Sequence, residues 1–115
     1  MGDIAIIGAG GRAGRAAVNE ARRRGHKVTA VVRDPERHAG LAAGAAVMRD
    51  AAAGSHWLII SPAGDFLPSP ERSGRYRIAP ADAASRISYA DVAVALLDEA
   101  DSPRHHRVHI GVEAA

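Results

Sequence analysis

The sequence predicts an α/β fold with a mostly parallel sheet in three layers, and three observations support this. The apolar run Ile4–Ile7 leads directly into a glycine-rich turn over residues 8–14. An alanine-rich helical segment and the apolar segment Val28–Val32 follow, which is the order of elements with which parallel sheets begin. Trp57–Ile60 is a near-continuous apolar run, typical of a strand that is buried on both faces.

The segment 12–24 is predicted to form an amphipathic helix that ends before Gly25. Its apolar face is made of small side chains: Ala13, Ala16, Ala17, Val18 and Ala21. Its opposite face is polar: Arg15, Asn19, Arg22 and Arg23.

Small residues at set positions of the turn predict a dinucleotide-binding site. Gly8 turns the chain after the strand, and Gly10 or Gly11 lets a pyrophosphate contact the backbone. Ala13 or Gly14 lets the helix approach the strand closely. Because helix N-termini attract phosphates, the sequence predicts a nucleotide cofactor at this turn.

The end of the second strand favours NADP(H) over NAD(H). A site for NAD(H) places an acid there to bind the ribose 2'-hydroxyl, whereas this chain has Arg33. Arg12 can approach the same 2'-phosphate from the turn, which makes a two-arginine clamp. Asp34 is the competing ligand, but it precedes Pro35 and Glu36, and this order is typical of a helix N-cap.

Composition restricts the class of protein. The 115 residues are expected to form one domain, 1–115, with an aliphatic core, since 47% are hydrophobic and 3% aromatic. The absence of cysteine excludes disulfides and thiol nucleophiles. Nucleic-acid binding is not expected, because the net charge is only +2 and no aromatic residues alternate with the basic ones. No membrane span or signal peptide is evident, so a cytoplasmic location is expected.

The usual tyrosine and lysine proton relay is excluded. Lys27 is the single lysine, and neither Tyr76 nor Tyr89 has a lysine four residues later. If the chain reduces a substrate, the proton must come from water or from another side chain. Ser61 has no histidine beside it in the sequence, so an activated serine is not expected.

The region after Pro62 is predicted to bind the substrate. Residues 63–86 form a long irregular stretch with one short strand at Tyr76–Ile78. This stretch follows the carboxyl end of a strand, where open parallel sheets bind ligands. Ser61 and Pro62 are therefore included among the predicted cofactor-binding residues.

A helix and a strand are predicted near the C-terminus. Ser88 and Asp91 form a capping box, and Ile87 with Val92 forms a hydrophobic staple. The predicted inward face of the helix consists of Val92, Ala93, Leu96 and Ala100. The segment Arg107–Val112 alternates apolar and polar residues, which suits a strand near the sheet edge.

Three histidines close to the C-terminus raise the question of a metal site. His105 and His106 lie in a predicted loop and His109 on a strand, with only Glu113 as a nearby acid. This ligand set is incomplete, so surface histidines are favoured and no metal is predicted.

Five segments together resemble a known family: Gly8–Gly14, Thr29–Pro35, Trp57–Ala63, Glu71–Arg77 and Arg86–Asp91. They resemble the atypical short-chain dehydrogenases of the NAD(P)H-binding, NADH-flavin reductase-like type, related to NmrA-like proteins. The family turn, Gly-x-x-Gly-x-x-Gly, maps onto Gly8, Gly11 and Gly14. The resemblance implies a Rossmann-like fold, a bound NADP(H) or NAD(H), and reduction of flavins, quinones or similar small acceptors.

The chain departs from this family by lacking the middle of the domain. A short third strand is predicted at Ala45–Met48, and the seven residues Arg49–Ser55 span at most about 25 Å, too few for a regular crossover. We therefore expect the Trp57 strand to lie beside Ile4–Ile7 in a shortened Rossmann-like fold. A homodimer could supply the missing cover. Two function classes follow: a reductase of a small-molecule acceptor, or a non-catalytic NADP(H)-binding sensor.

Overall fold

The computed structural model describes residues 2–7, 11–31 and 58–115. The chain divides into two compact units, residues 1–57 and residues 58–115. The predicted strand Ala45–Met48 lies outside the described residues, as do the predicted site residues Gly8, Gly10 and Arg33. The predictions of a single domain and of the Trp57 strand beside Ile4–Ile7 stay predictions.

The first unit contains the predicted strand, helix and strand. They are β1 (Asp3–Ile7), α1 (Arg12–Arg23) and β2 (Lys27–Val31). Strands β1 and β2 pair in parallel, from Asp3 opposite Lys27 to Ile7 opposite Val31. The helix connects the two strands and contacts both of them, so this β-α-β unit confirms the prediction.

Helix α1 ends where its sequence predicts, but its buried face is narrower than the predicted apolar face. Gly25 follows the C-cap with φ of +83°, a conformation that glycine adopts without strain. Ala17 and Ala21 are buried, whereas Ala13 is exposed. The side chain of Glu20 is buried as well. Its carboxylate accepts a hydrogen bond of 2.8 Å from the Arg24 guanidinium one turn later.

The second unit contains five strands and one helix within the described residues. They are β3 (Leu58–Pro62), β4 (Asp65–Leu67), β5 (Tyr76–Ile78), β6 (Arg86–Ser88), α2 (Tyr89–Asp101) and β7 (Val108–Ala114). Strands β3 and β7 pair in parallel, as do β4 and β6, whereas β5 pairs with β7 in antiparallel fashion. The protein is therefore mixed α/β, with three parallel ladders and one antiparallel ladder among the described strands.

Strand β7 lies between β3 and β5, next to the terminal described strand of its sheet, which agrees with the prediction of a strand near the sheet edge. One prediction about the strands was wrong. Ile59 of β3 is 37% exposed, so this strand is not buried on both faces. The stretch 63–86 is also more regular than predicted, since it contains β4 as well as β5.

The core of the second unit lies between helix α2 and the strands. Its buried centre consists of Ile87, Val92, Ala95 and Val112, against which Ile60, Phe66, Tyr76 and Leu96 pack. The shared cluster of Ile87 and Val92 agrees with the predicted staple. Ala100 is exposed, so it does not belong to the inward face as predicted. Helix α2 is buried on several sides over residues 91–95, whereas its last two residues are exposed.

Candidate functional site

The N-terminus of helix α1 is the candidate site of the first unit. Gly11 is the N-cap and has extended backbone angles, and it provides no side chain to bond the first turn. That turn contains no acidic residue. Arg12 and Ala13 are exposed and Gly14 is half-buried. Because the positive end of the helix is not neutralised by an acid in its own first turn, this terminus suits a phosphate.

The carboxyl end of β3 is the candidate site of the second unit. Ser61 and Pro62 lie there, opposite Gly111 and Val112 of β7. The Ser61 Oγ atom lies 2.7 Å from the His109 Nε2 atom. His109 is exposed and Ser61 is half-buried. The expectation that Ser61 has no histidine partner is therefore wrong, because the partner comes from a strand 48 residues later.

Sheet geometry explains why Ser61 and His109 meet. Ile59 is opposite His109 in the parallel register, and Ser61 is on the same face as Ile59 because side chains alternate along a strand. The core residues Ile60 and Ile110 occupy the other face. The alternation of apolar and polar residues in β7 predicted that His109 lies on the sheet face opposite the apolar side chains. It could not predict which strand is the neighbour of β7 on that face.

An aromatic pair follows the carboxyl end of β3. The rings of Phe66 in β4 and Tyr89 at the start of α2 stack with centroids 3.8 Å apart and planes 5° apart. Both residues are partly exposed. This pair holds β4 against the start of α2, in the stretch that the sequence predicted to bind the acceptor.

The loop between β4 and β5 is fixed to helix α2 by one carboxylate. Asp91 is 5% exposed, and its Oδ1 accepts hydrogen bonds from the backbone N–H groups of Ser73 (2.9 Å) and Gly74 (3.0 Å). Its Oδ2 accepts a bond of 2.8 Å from the Ser73 hydroxyl. Gly74 has φ of +79°, which favours glycine. The Asp91 carboxylate therefore fixes Ser73 and Gly74 to the start of α2.

The capping box at α2 is confirmed only in its hydroxyl half. The Ser88 Oγ accepts a bond of 3.1 Å from the Asp91 backbone N–H, as an N-cap serine should. The Asp91 carboxylate instead accepts hydrogen bonds from Ser73 and Gly74 of the loop before β5. Sequence analysis missed this use of Asp91, because a carboxylate in the first turn of a helix has an obvious local partner.

The end of α2 is closed by a cluster that we call the Glu99 clasp, formed by Glu99, Arg104 and His105. Glu99 is 9% exposed, and its Oε1 lies 2.6 Å from His105 Nδ1. Its Oε2 accepts bonds from the backbone N–H groups of Arg104 (2.9 Å) and His105 (3.2 Å). Burial raises the pKa of Glu99, but these hydrogen bonds together outweigh burial and hold the pKa below its usual value.

Tyr76 makes a second contact to the same helix. Its hydroxyl donates a bond of 2.9 Å to Asp98 Oδ2. Burial, assisted by this bond, raises the pKa of Tyr76 to about 12. Tyr76 therefore stays protonated at neutral pH and serves to join β5 to α2.

The Glu99 clasp predicts an acid-sensitive contribution to stability. A carboxyl whose pKa is lowered by folding contributes stability above its unfolded pKa, and this contribution is lost as pH falls through the folded value. We expect Glu99→Gln to cost about 1 kcal/mol at pH 7 and to flatten the fall in unfolding free energy below pH 4.5, the usual pKa of this group. Urea denaturation between pH 3 and pH 7 measures both effects.

The matched control for this prediction is Glu71→Gln, at an exposed glutamate of the same unit. This substitution should leave the pH dependence of the wild-type chain in place. Parallel pH profiles for Glu99→Gln and the wild-type chain would contradict the proposed role of the clasp.

Two of the three histidines near the C-terminus contact different residues. His105 contacts Glu99, and His109 contacts Ser61. Within the described ranges, no group of three or more His, Cys, Asp or Glu side chains is placed to hold a metal ion. In the same part of the chain, no helix has both the length and the apolar character needed to cross a membrane.

Comparison with solved structures identifies proteins of the same fold. A putative NADH-flavin reductase from Streptococcus pneumoniae TIGR4 aligns over 100% of both chains, with a TM-score of 0.75 and 23% identity. A putative epimerase from Bacteroides thetaiotaomicron aligns over 97% of this chain and 96% of its own, with a TM-score of 0.73 and 22% identity. The chain shares the fold of these proteins.

Comparison of sequences gives a shorter match. The uncharacterized protein YwnB of Bacillus subtilis (strain 168) is 44% identical over 55 residues, which cover 43% of this chain and 26% of YwnB. The match therefore spans about a quarter of the length of this relative. No family model matches the chain.

Proposed function

We propose that the chain binds a nicotinamide dinucleotide and is an NADPH-dependent reductase of a flavin, a quinone or a similar small acceptor. The observation that carries this proposal is the parallel β1-α1-β2 unit with a glycine-rich turn before α1. The first turn of α1 contains no acid that would compete with a phosphate. The name of the Streptococcus pneumoniae neighbour, an NADH-flavin reductase, supports a nicotinamide cofactor.

Each predicted site residue has a role in this proposal. Backbone groups of the turn would hold the diphosphate, with Arg12 beside it, and Arg33 would select the 2'-phosphate. Ser61 and Pro62 are included because parallel sheets bind ligands outside the carboxyl ends of their strands. The proposed contacts are Gly8, Gly10, Gly11, Arg12, Ala13, Gly14, Arg33, Ser61 and Pro62. When bound, the reduced cofactor supplies a hydride, and the protein contributes binding, orientation and protons.

The charge of Arg33 gives the test of cofactor preference. We expect Arg33→Asp to raise the Kd for NADPH about 10- to 100-fold, since a hydrogen bond to a charged group contributes about 1.5–3 kcal/mol. The Kd for NADH should change less than about threefold, because NADH has no 2'-phosphate to lose this contact. Nicotinamide fluorescence or calorimetry measures both constants.

The control for Arg33 is Arg22→Asp, which makes the same charge change on the exposed face of α1. This control separates a specific contact from a general effect of net charge on a phosphorylated ligand. Equal weakening of NADPH and NADH by Arg33→Asp would contradict the assigned role of this arginine.

A non-catalytic NADP(H)-binding sensor is the second candidate. The chain lacks the tyrosine and lysine pair that supplies protons in many reductases, and its match covers only 26% of YwnB. Steady oxidation of NADPH with FMN or a quinone favours the reductase. NADPH binding without turnover across a panel of such acceptors favours the sensor.

A further inference from the structure

A cavity of about 480 Å³ lies in the second unit, where strands β5 and β7 meet the end of helix α2. Small-molecule sites enclose about 300–1,000 Å³, so this cavity has room for a compact organic ligand. The loop after α2 completes its lining with Arg104 and His105. All residues of the lining belong to the second unit, so the cavity does not depend on any contact with the first unit.

One part of the lining is apolar. Ala95 of α2 and Ile110 of β7 are buried there, whereas Ile78 of β5 is 50% exposed. Among the large hydrophobic side chains in the described ranges, Ile78 is the most exposed. An apolar ligand body that covers Ile78 removes this surface from water, which is favourable. The cavity therefore suits a ligand with an apolar body.

The positive charge at the cavity comes from Arg104, which is exposed. Its backbone N–H belongs to the Glu99 clasp, but its guanidinium has no hydrogen-bond or ion-pair partner within the described ranges. Glu99 also lines the cavity, but its two oxygens are already engaged by His105 and by two backbone N–H groups. A satisfied carboxylate beside an unpaired cation favours an anionic ligand.

The other polar residues of the lining add no competing negative charge. The Tyr76 hydroxyl donates to Asp98, and burial together with this bond raises the pKa of Tyr76 to about 12, so the group is neutral. The positive charge of Arg104 acts against this rise in pKa, which places the guanidinium within electrostatic reach of the cavity. Arg77 is paired with Glu113, its cross-strand neighbour, and alternation puts both side chains on the sheet face opposite Tyr76.

We propose that this cavity binds a small organic anion in which a carboxylate is attached to a compact apolar body such as an aromatic ring. The carboxylate pairs with the Arg104 guanidinium, whose planar fork matches two carboxylate oxygens. The apolar body lies against Ile78, Ala95 and Ile110. The cavity is on the sheet face that packs against α2, whereas Ser61 is on the opposite face, so this inference does not rest on the proposed function.

2-Naphthoate is a suitable probe, because it joins a carboxylate to a flat apolar body. We expect saturable binding with a Kd of about 1 mM or tighter, the affinity typical of a ligand of this size. In an NMR titration of the full chain, the backbone amide resonances of Ile78, Ala95 and Arg104 should move together and report this Kd. Those of Arg12 and Ala13, at the N-terminus of α1, should not move.

The charge and the apolar body of the ligand are tested separately. Arg104→Gln should raise the Kd for 2-naphthoate about tenfold, within the range for loss of a bond between charged groups. The Kd for 2-naphthalenemethanol, a neutral analogue, should change less than about twofold in this variant. Arg104→Lys should lie between Arg104→Gln and the wild-type chain, because it keeps the charge but not the planar fork. Acetate, which has the charge alone, should bind at least about tenfold more weakly than 2-naphthoate.

Arg75→Gln is the matched control, since it removes the same charge at an exposed residue of the second unit that does not line the cavity. Its Kd for 2-naphthoate should equal that of the wild-type chain, which separates a contact from a general effect of net charge. Ile78→Ser should weaken 2-naphthoate and 2-naphthalenemethanol alike, because it removes apolar contact from both complexes. Arg104 and Ile78 are exposed, and urea denaturation checks that each variant stays folded.

The outcomes of these titrations either support the anion site or overturn it. A saturable shift at Ile78 and Arg104 that weakens in Arg104→Gln but not in Arg75→Gln supports the proposal. Absence of saturable binding, equal weakening in both arginine variants, or shifts confined to the N-terminus of α1 would overturn it. A chain that binds NADPH but not 2-naphthoate refutes only this inference, and one that binds 2-naphthoate but no dinucleotide refutes only the proposed function.

Discussion

Gly64→Ala is expected to lower the free energy of unfolding of the second unit by about 3 kcal/mol or more, at the upper end of the cost of overpacking. A Cβ atom at this position would overlap the backbone carbonyl oxygens of Asp82 and Ser85. Both oxygens are fixed, because they accept bonds from Ser85 N (2.9 Å) and Asp65 N (3.0 Å) respectively. The substitution must therefore displace backbone rather than a flexible side chain.

The hydrogen bonds of these atoms indicate which backbone amides Gly64→Ala will disturb first. Asp82 N also donates a bond of 2.9 Å to Ala63 O, so the turn 82–85 is joined to the chain on both sides of Gly64. We expect amide hydrogen exchange to rise first at Asp65, Asp82 and Ser85, and urea denaturation to report the lower stability.

Two glycines provide graded controls for Gly64. A Cβ at Gly2 would meet nothing closer than 4.0 Å, so Gly2→Ala should be nearly neutral. A Cβ at Gly111 would lie 2.8 Å from the Ala79 carbonyl oxygen, and Gly111→Ala should have an intermediate cost. A Gly64→Ala chain as stable as the Gly2→Ala chain would contradict this account.

Asp91→Ala is expected to lower the free energy of unfolding by about 3 kcal/mol, since hydrogen bonds to a charged acceptor contribute about 1.5–3 kcal/mol each and water restores part of the loss. The substitution removes the acceptor of three bonds from Ser73 and Gly74. It also removes an acid from the first turn of α2, where a negative charge is favourable. Thermal and urea unfolding measure the change.

The amide protons of the loop provide a more specific measurement for Asp91. Exchange at Ser73 and Gly74 should accelerate in Asp91→Ala, and Asp91→Asn should lie between this variant and the wild-type chain because one carbonyl oxygen remains. Asp65→Ala is the control, since Asp65 is exposed and its carboxylate accepts a hydrogen bond from the backbone N–H of its neighbour Phe66. Unchanged exchange at both amides would refute the assigned role of Asp91.

Local patterns were sufficient for elements whose signals lie within a few residues. The β-α-β order of the first unit, the end of α1 at Gly25 and the Ser88 cap of α2 are all confirmed. In each case the physical cause is local: apolar periodicity, the conformational freedom of glycine, or a side chain that bonds a backbone group three residues away. The short strand Tyr76–Ile78 was found for the same reason.

Predictions that depended on distant partners were less successful. The exposure of Ile59 and the histidine partner of Ser61 both depend on which strands become neighbours. The Asp91 carboxylate was expected to serve its own helix, but it holds a loop 17 or 18 residues earlier in the chain. Alternation along one strand says nothing about the identity of the adjacent strand.

The sequence by itself determined the α/β class, the glycine-rich segment before α1 and the absence of a tyrosine and lysine pair, because each depends on residue types at short spacings. Only the tertiary structure decided that Ser61 meets His109, that Glu99 is buried against His105 and that Asp91 holds the loop at 73–74. These contacts arise when β-strand pairing and packing on α2 bring together residues that are far apart in the chain. Their geometry is set by the register of the sheet, which no local pattern specifies.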